Sequence, residues 1–477
     1  MSATDLLIRH THVLPTHGAP AQPEASVHIR RGRIVDITDD HGARSTPPPG
    51  TRVIDGSGTV CLPGLVNCHN HVSMTLLRGH GADLPLQRWL EQAIWPAEAR
   101  MTGADIGAGA LLGCLEMLRG GVTAFADMYD HMDAVAEAVT RAGMRASLSR
   151  GVIGLRPTWE AAMVEAADLC RRFGGGGTTP DGAASGHRVG AAAAPTVGDG
   201  PAGGRAGGVA PPGAAGEGSA RITAMLAPHA EYTCPRPVWD LAVSLAREIG
   251  VPIHTHVSET AAEVQGCRER HGCSPVRFLQ DVGAFEVGLL AAHCVHVDAA
   301  DIALLAAPGV AVSHNPISNA KLGSGVAPLE AMRAAGVCLG LGTDGAASTD
   351  VLGLWDELRA AAWLQKATRQ DAAAAPVATL LRLATVGGAE ALRLPAGCGR
   401  LEAGAPADLI LVDVTGLHHS PHPDLPAALL YGTRDADVVL TVVDGRVVME
   451  RGEFPGIDHE RLRADVAARS RRLLGAA

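Results

Sequence analysis

Aromatic residues are scarce, making up 3% of the 477 residues, so a core must be built mainly from Ala, Val and Leu. No apolar run reaches the roughly 18–20 residues that a membrane-spanning helix needs. The N-terminus shows no charged stretch leading into an apolar one, which speaks against a secretory signal. Ten cysteines occur without a single C-x-x-C pair. That pattern predicts reduced, buried thiols in a cytoplasmic protein rather than a disulfide framework. There is no concentrated basic surface either: the formal net charge is −10 with both signs scattered, so nucleic acid and anionic lipid are not expected partners.

What is present falls into two rhythms. Short alternating segments broken by turn residues cover 5–14, 26–37 (pivoting near Gly32) and 51–54. A matching pattern returns at 407–413 and at 439–448, where Asp444-Gly445 marks a turn. These ends predict one small β-sandwich domain in two parts, 1–61 and 393–455, followed by a C-terminal helix over 456–477. From 62 to 392, short apolar runs alternate with helical stretches such as 106–118 and 237–249. The runs at 62–68, 121–127, 145–152, 222–228, 251–257, 288–292, 309–313 and 337–343 predict a (β/α)8 barrel of the α/β class. The segment 174–218 is rich in Gly, Ala and Pro. It buries too little apolar surface to offset its ordering entropy, and is read as a disordered insertion between the third and fourth strands.

Polar clusters sit where those strands end. In Gly64-Leu-Val-Asn-Cys-His-Asn-His71, residues two apart share a strand face, so His69 and His71 point the same way. At the C-terminal end of a barrel strand that face is the mouth, where barrel enzymes keep their chemistry. His256 offers a third nitrogen after the fifth strand, and Glu259 just beyond it is a candidate acid or base. His254 lies one layer deeper and reads as a supporting histidine. His293 ends the sixth run, and Asp344 in Gly342-Thr-Asp-Gly345 caps the eighth. A strand-end His or an Asp before Gly is individually unremarkable. All of them at one barrel mouth predict a metal-dependent hydrolase.

At this point the chain resembles the amidohydrolase superfamily, in its branch of methylthioadenosine/S-adenosylhomocysteine deaminases and triazine hydrolases. The matching motifs are Pro63-Gly-Leu-Val-Asn-Cys-His-Asn-His71, His256-Val-Ser-Glu259, Ala292-His-Cys294, Ser313-His-Asn-Pro-Ile-Ser-Asn319, Gly342-Thr-Asp-Gly345 and the stretch from Gly399 to Leu409. The resemblance implies that His69, His71, His256 and Asp344 bind one divalent ion, with His293 beside its water. Related subtypes bridge two metals with a carboxylated lysine. No lysine occurs between Met1 and Ala320, so a single ion is expected, zinc first and Fe2+ or Mn2+ as alternatives. Glu259, His293 and Asp344 are the expected catalytic, proton-handling groups.

The substrate is read from weaker matches. The family's ribose-contacting Glu is replaced by Gln87 in Pro85-Leu-Gln-Arg-Trp-Leu90, while Trp89 remains. Arg150 matches a carboxylate-binding arginine, with Arg156 nearby but not cleanly aligned. His229 matches a substrate-contacting histidine, and His293 is expected to reach substrate as well as water. Arg78 is read as an anchor for the mouth loop. The expected activity is hydrolytic deamination of an aminated purine or related N-heterocycle of the adenosine, methylthioadenosine or S-adenosylhomocysteine type. The alternatives are triazine-type removal of another leaving group, or deamination of guanine- or pterin-type rings. The zinc site of cytidine deaminases is excluded, since it needs P-C-x-x-C. Expected partners are the small heterocyclic substrate and further copies of the chain.

Overall fold

The computed structural model describes residues 5–16, 20–39, 47–174 and 221–475. The N-terminal segment forms β1 (Leu6–Val13), β2 (Gln22–Arg30), β3 (Arg33–Asp39), β4 (Arg52–Asp55) and β5 (Thr59–Pro63). Eight further strands follow: β6 (Leu65–Asn70), β7 (Val122–Tyr129), β8 (Arg145–Val152), β9 (Ile222–Pro228), β10 (Ile253–Val257), β11 (Leu289–His293), β12 (Val310–His314) and β13 (Cys338–Leu341). They close as a parallel barrel in chain order, with β13 returning to β6. The strands are short, almost wholly buried and separated by helices, as a sheet covered on its outer face requires.

The chain leaves the barrel for β14 (Leu409–Asp413), β15 (Val438–Val443) and β16 (Arg446–Glu450), and ends in a helix over His459–Leu474. The two chain ends make one continuous sheet in the order β16-β15-β14-β5-β1-β2-β3, with β4 on β1. Its arms face each other across a shared core that includes Ile8, Val27, Ile34, Leu411 and Val442. The sandwich is thus a single sheet folded over on itself, with the Gly32 turn against Asp444-Gly445.

One expected strand divides in two. The run at 62–68 contains the crossing point between the two sheets: Leu62 and Pro63 pair with β14, and Leu65 opens the barrel. Gly64 makes the crossing possible, because a Cβ there would lie 2.2 Å from the Thr123 side chain. The insertion read at 174–218 lies, beyond Gly174, outside the described residues. Among the described residues no single helix is long and apolar enough to cross a membrane. All ten cysteines are free, and eight of them are buried.

A buried ion pair joins the two sheets. Arg145, at the start of β8 and 1% exposed, meets Asp408 at 2.7 Å and Asp444 at 3.1 Å. Asp408 also accepts the Asp444 backbone N–H. At the other side of the molecule, Arg469 and Arg472 of the last helix hold the buried Asp105 of the helix Gly103–Arg119. Removing one partner of a buried pair leaves an uncompensated charge, which costs about 3–5 kcal/mol. Arg145→Met is therefore expected to lower the unfolding free energy by that amount, read as a lower denaturant midpoint. An unchanged midpoint would show that the pair contributes nothing to holding sheet and barrel together.

Candidate active site

The barrel strands deliver the expected residues to one end. His69 lies in β6 and His71 one residue past it; His256 lies in β10 and His293 ends β11. Asp344 follows β13, and its N–H donates to the His69 carbonyl at 2.9 Å. Four atoms then converge. His69 Nε2 and His71 Nε2 are 3.3 and 3.2 Å from Asp344 Oδ1, and His256 Nε2 is 3.3 Å from His71 Nε2. Ligands held about 2.0–2.2 Å from a tetrahedral ion are separated by about 3.3 Å. The donor set therefore fits one divalent ion. The buried His69 Nε2 has no properly directed hydrogen bond among the described residues, as an atom aimed at an ion should.

The opposite atom of each ligand is tied down. His69 Nδ1 is 2.8 Å from His254 Nε2, His71 Nδ1 meets the Met128 carbonyl, and His256 Nδ1 is 2.8 Å from the His229 carbonyl. Asp344 Oδ2 accepts hydrogen bonds from Ser318 and Ser348, each at 2.7 Å. Such partners fix which side of each ligand stays open and raise its basicity. The Ser-His-Asn-Pro-Ile-Ser-Asn motif thereby acquires a physical meaning, since Asn319 holds His293 Nδ1 at 2.8 Å. In Gly342-Thr-Asp-Gly345, a Cβ at Gly342 would lie 2.8 Å from the His69 nitrogen, and one at Gly345 2.5 Å from Met74 Sδ. Only glycine lets this loop approach so closely.

Strain collects at the same place. Ser258, His293, Cys294 and Asp344 all have positive φ, between 47° and 75°. Non-glycine residues adopt that region at a cost, and persist there when the surroundings over-determine them. Here Cys294 N–H is bonded to the Val257 carbonyl, and the Val295 and His296 N–H groups to that of Ser258. His293 Nε2 comes within 3.8 Å of Glu259 Oε2, and burial pushes the Glu259 carboxyl above its ordinary range.

The cluster forms the floor of a cavity of about 560 Å³ lined by His71, His229, His256, Glu259, His293 and Asp344. Its lining mixes apolar Met74, Leu86, Trp89, Leu90 and Met101 with polar Glu98, Tyr129, Arg150, Arg156 and Tyr232. Burial drives the His229 pKa down to about 3, so the ring is neutral, with Nδ1 facing Thr233 Oγ1 at 3.0 Å. Arg150 is held by Asp130 and Glu165. Arg78 lies apart from the cavity lining and pairs with Glu116, anchoring the loop after the metal pair.

Gln87 is not brought to the cavity. It is exposed and donates to Glu91, because the turn that carries it turns Leu86, Trp89 and Leu90 inward. The carboxyl among the lining residues of this connection belongs instead to Glu98, which is raised by burial. Sequence reading also passed over Glu263. Its two carboxylate oxygens accept the Ser258 and Glu259 N–H groups at 2.8 and 2.7 Å. The signal was present: Thr260-Ala-Ala-Glu263 has the spacing of a capping box. Thr260 caps the helix Ala261–His271, and Glu263 reaches back past it to the active-site turn.

A parallel barrel with a His/Asp cluster at its mouth and a sheet made by both chain ends defines a class of metal-dependent hydrolases. The amidohydrolase family model matches residues 60–448, and the chain belongs to that family. It is similar to the 5-methylthioadenosine/S-adenosylhomocysteine deaminase of Desulforudis audaxviator, at 41% identity over 98% of this chain and 99% of the relative. Among solved structures, a zinc-bound adenosine deaminase from Xanthomonas campestris superposes with a TM-score of 0.85 at 32% identity, covering 98% of both chains. A zinc complex of atrazine chlorohydrolase from Arthrobacter aurescens superposes with a TM-score of 0.80 at 25% identity, covering 98% of this chain and all of the other.

Glu263 touches no part of the cavity, so its influence must pass through the Ser258–Glu259 backbone. Glu263→Gln sets an amide N–H₂ against one of two backbone donors. A loss of about 10–100-fold in kcat is expected, with KM and metal content held near wild type. Equal losses in kcat and in bound metal would instead indicate general disruption of the mouth.

Proposed function

We propose that this chain is a metal-dependent deaminase that hydrolyses the exocyclic C–N bond of an aminated purine, with adenosine, methylthioadenosine and S-adenosylhomocysteine as its substrate class. One observation carries the reading: three imidazole nitrogens and one carboxylate oxygen converge on the floor of a nucleoside-sized cavity, with Glu259 and His293 beside them. The deaminase relatives of similar length support the substrate class. Metal binding is assigned to His69, His71, His256 and Asp344, with zinc as the ion and Fe2+ or Mn2+ as alternatives. An ion held there supplies positive charge that lowers the pKa of water toward neutrality.

The side chains then divide the proton work. Asp344 and His293 orient the water and take its proton as oxygen bonds to the electron-poor carbon of the ring. Glu259, kept protonated more readily by its burial, donates to the ring nitrogen next to that carbon. The proton taken from water passes to the departing amine and the remaining hydroxyl proton returns to Glu259, so collapse of the tetrahedral carbon leaves the carbonyl, releases ammonia and restores the side chains. Trp89 and the methionines lining the cavity suit a flat ring and a thioether. Glu98 is the carboxylate placed to accept sugar hydroxyls. With Arg150 engaged by two acids, Arg156 is the cation for a substrate carboxylate. Ten free, mostly buried cysteines support a reducing, cytoplasmic setting.

Ammonia release measured over a panel of purine nucleosides, pterins and triazines tests the proposal. Purine nucleosides are expected to release ammonia, chelation to abolish release and added Zn2+ to restore it. Glu259→Gln is expected to lower kcat by at least about 100-fold. Equal activity of wild type and Glu259→Gln, or chloride release from a chlorotriazine with no ammonia from any purine, would sink it. Arg156→Ala is expected to raise KM for S-adenosylhomocysteine about 10–100-fold, the range for one charged hydrogen bond, and to leave adenosine nearly untouched.

A further inference from the structure

A second group of metal-ligating side chains lies on the turns that flank the helix Leu425–Gly432. His418 and His419 close the short turn Leu417–His419 after β14, and Asp437 ends the turn Asp435–Asp437 that leads into β15. His418 Nε2 is 2.9 Å and His419 Nε2 3.5 Å from the same oxygen, Asp437 Oδ2. These separations bracket the 3.2–3.3 Å spacings of the barrel cluster, and all three donor atoms lie within 4.8 Å of one another.

Taken alone, the His418–Asp437 contact is an ordinary surface pair, and Asp437 also accepts the Arg434 backbone N–H at 2.7 Å. His419 is what that pairing leaves unexplained. Its side chain is fully enclosed, yet neither ring nitrogen has a hydrogen-bond partner among the described residues. Either protonation state of a neutral imidazole buries one N–H and one lone pair, and both are normally satisfied. Here Nε2 is instead aimed at the carboxylate oxygen that His418 already faces. Glycines seat both rings: a Cβ at Gly416 would come within 2.7 Å of the His418 ring, and one at Gly432 within 3.2 Å of His419 Nδ1.

We propose that His418, His419 and Asp437 form a second divalent-cation site, taking an ion of the zinc class and separate from the barrel cluster. Two imidazoles and one carboxylate are the donor types such an ion selects. His418 and Asp437 are partly exposed, which gives the ion an entry path and leaves room for water to complete its coordination. The site is structural. It clips the two turns together beside the point where Arg119, from a barrel helix, donates to the carbonyls of Asp435, Ala436 and Val438. An ion there fastens the C-terminal arm of the folded sheet against the barrel.

The test uses full-length protein equilibrated with Zn2+ alone and then analysed for bound zinc. Wild type is compared with His418→Ala, which removes an accessible ligand, and with Asp437→Asn, which keeps the shape of the acid. Wild type is expected to bind one equivalent more than either variant. Its melting temperature should also rise with Zn2+ by an increment that both variants lack. The barrel cluster is common to all three proteins. If it held no ion, every count would fall by one while the difference between wild type and variants stood. Equal zinc content in wild type and both variants overturns the second site.

Discussion

Three imidazole nitrogens and one carboxylate oxygen crowd to within 3.2–3.3 Å of their neighbours at the barrel mouth, and most of the surrounding structure exists to hold them there. Buried polar atoms left facing one another are costly unless something satisfies them. Within this cluster, every ring nitrogen and carboxylate oxygen outside the four converging atoms has a hydrogen-bond partner. His254, two backbone carbonyls and two serines occupy the outer atoms of the ligands. The close glycines of the Asp344 loop and the positive φ angles at Ser258, His293 and Asp344 follow from the same demand. Eight parallel strands end together, and a ring of strand ends is one of few frameworks rigid enough to impose such geometry.

The barrel was legible because its strands are short, mostly buried runs, and several carry a His or Asp at or just past the C-terminal end. Strand boundaries at β8 and β9 fall where the apolar runs begin and stop. The crossing at Gly64 was not legible. Leu62 and Leu65 look alike in a linear reading, and only the approach of Thr123 and the pairing with β14 separate them. The ligand set was readable for a related reason: period-2 spacing puts His69 and His71 on one face whatever the details of the fold. Gln87 shows the opposite case. Its side of a single helical turn is decided by packing of Leu86, Trp89 and Leu90, which motif alignment does not encode. Glu98 takes its place from a later turn of the chain.

The cavity lining has two sources. The His/Asp cluster, Glu259 and His293 lie on strand ends and their immediate turns, where backbone hydrogen bonds link one loop to the next. The rest of the lining comes from the first connection, from the ends of β7 and β8 with the residues just past them, and from the turn after β9. The same fold is shared with an atrazine chlorohydrolase, so the fold alone does not fix the substrate. In this chain that part of the lining combines Trp89, Met74 and Met101 with Glu98 and Arg156.

Glu263 links the two levels. A capping residue ordinarily serves its own helix, satisfying donors that the first turn leaves free. Here its carboxylate spans the N–H groups of the strained Ser258 and of Glu259, so the start of one outer helix fixes the backbone that carries Glu259. Burial and the neighbouring Glu259 raise the Glu263 carboxyl to about 7. Both Glu263 oxygens accept backbone N–H groups, whereas the Glu259 carboxyl lines the cavity. Burial is what chiefly raises the Glu259 carboxyl, opposed by the neighbouring His293 and reinforced by Asp344.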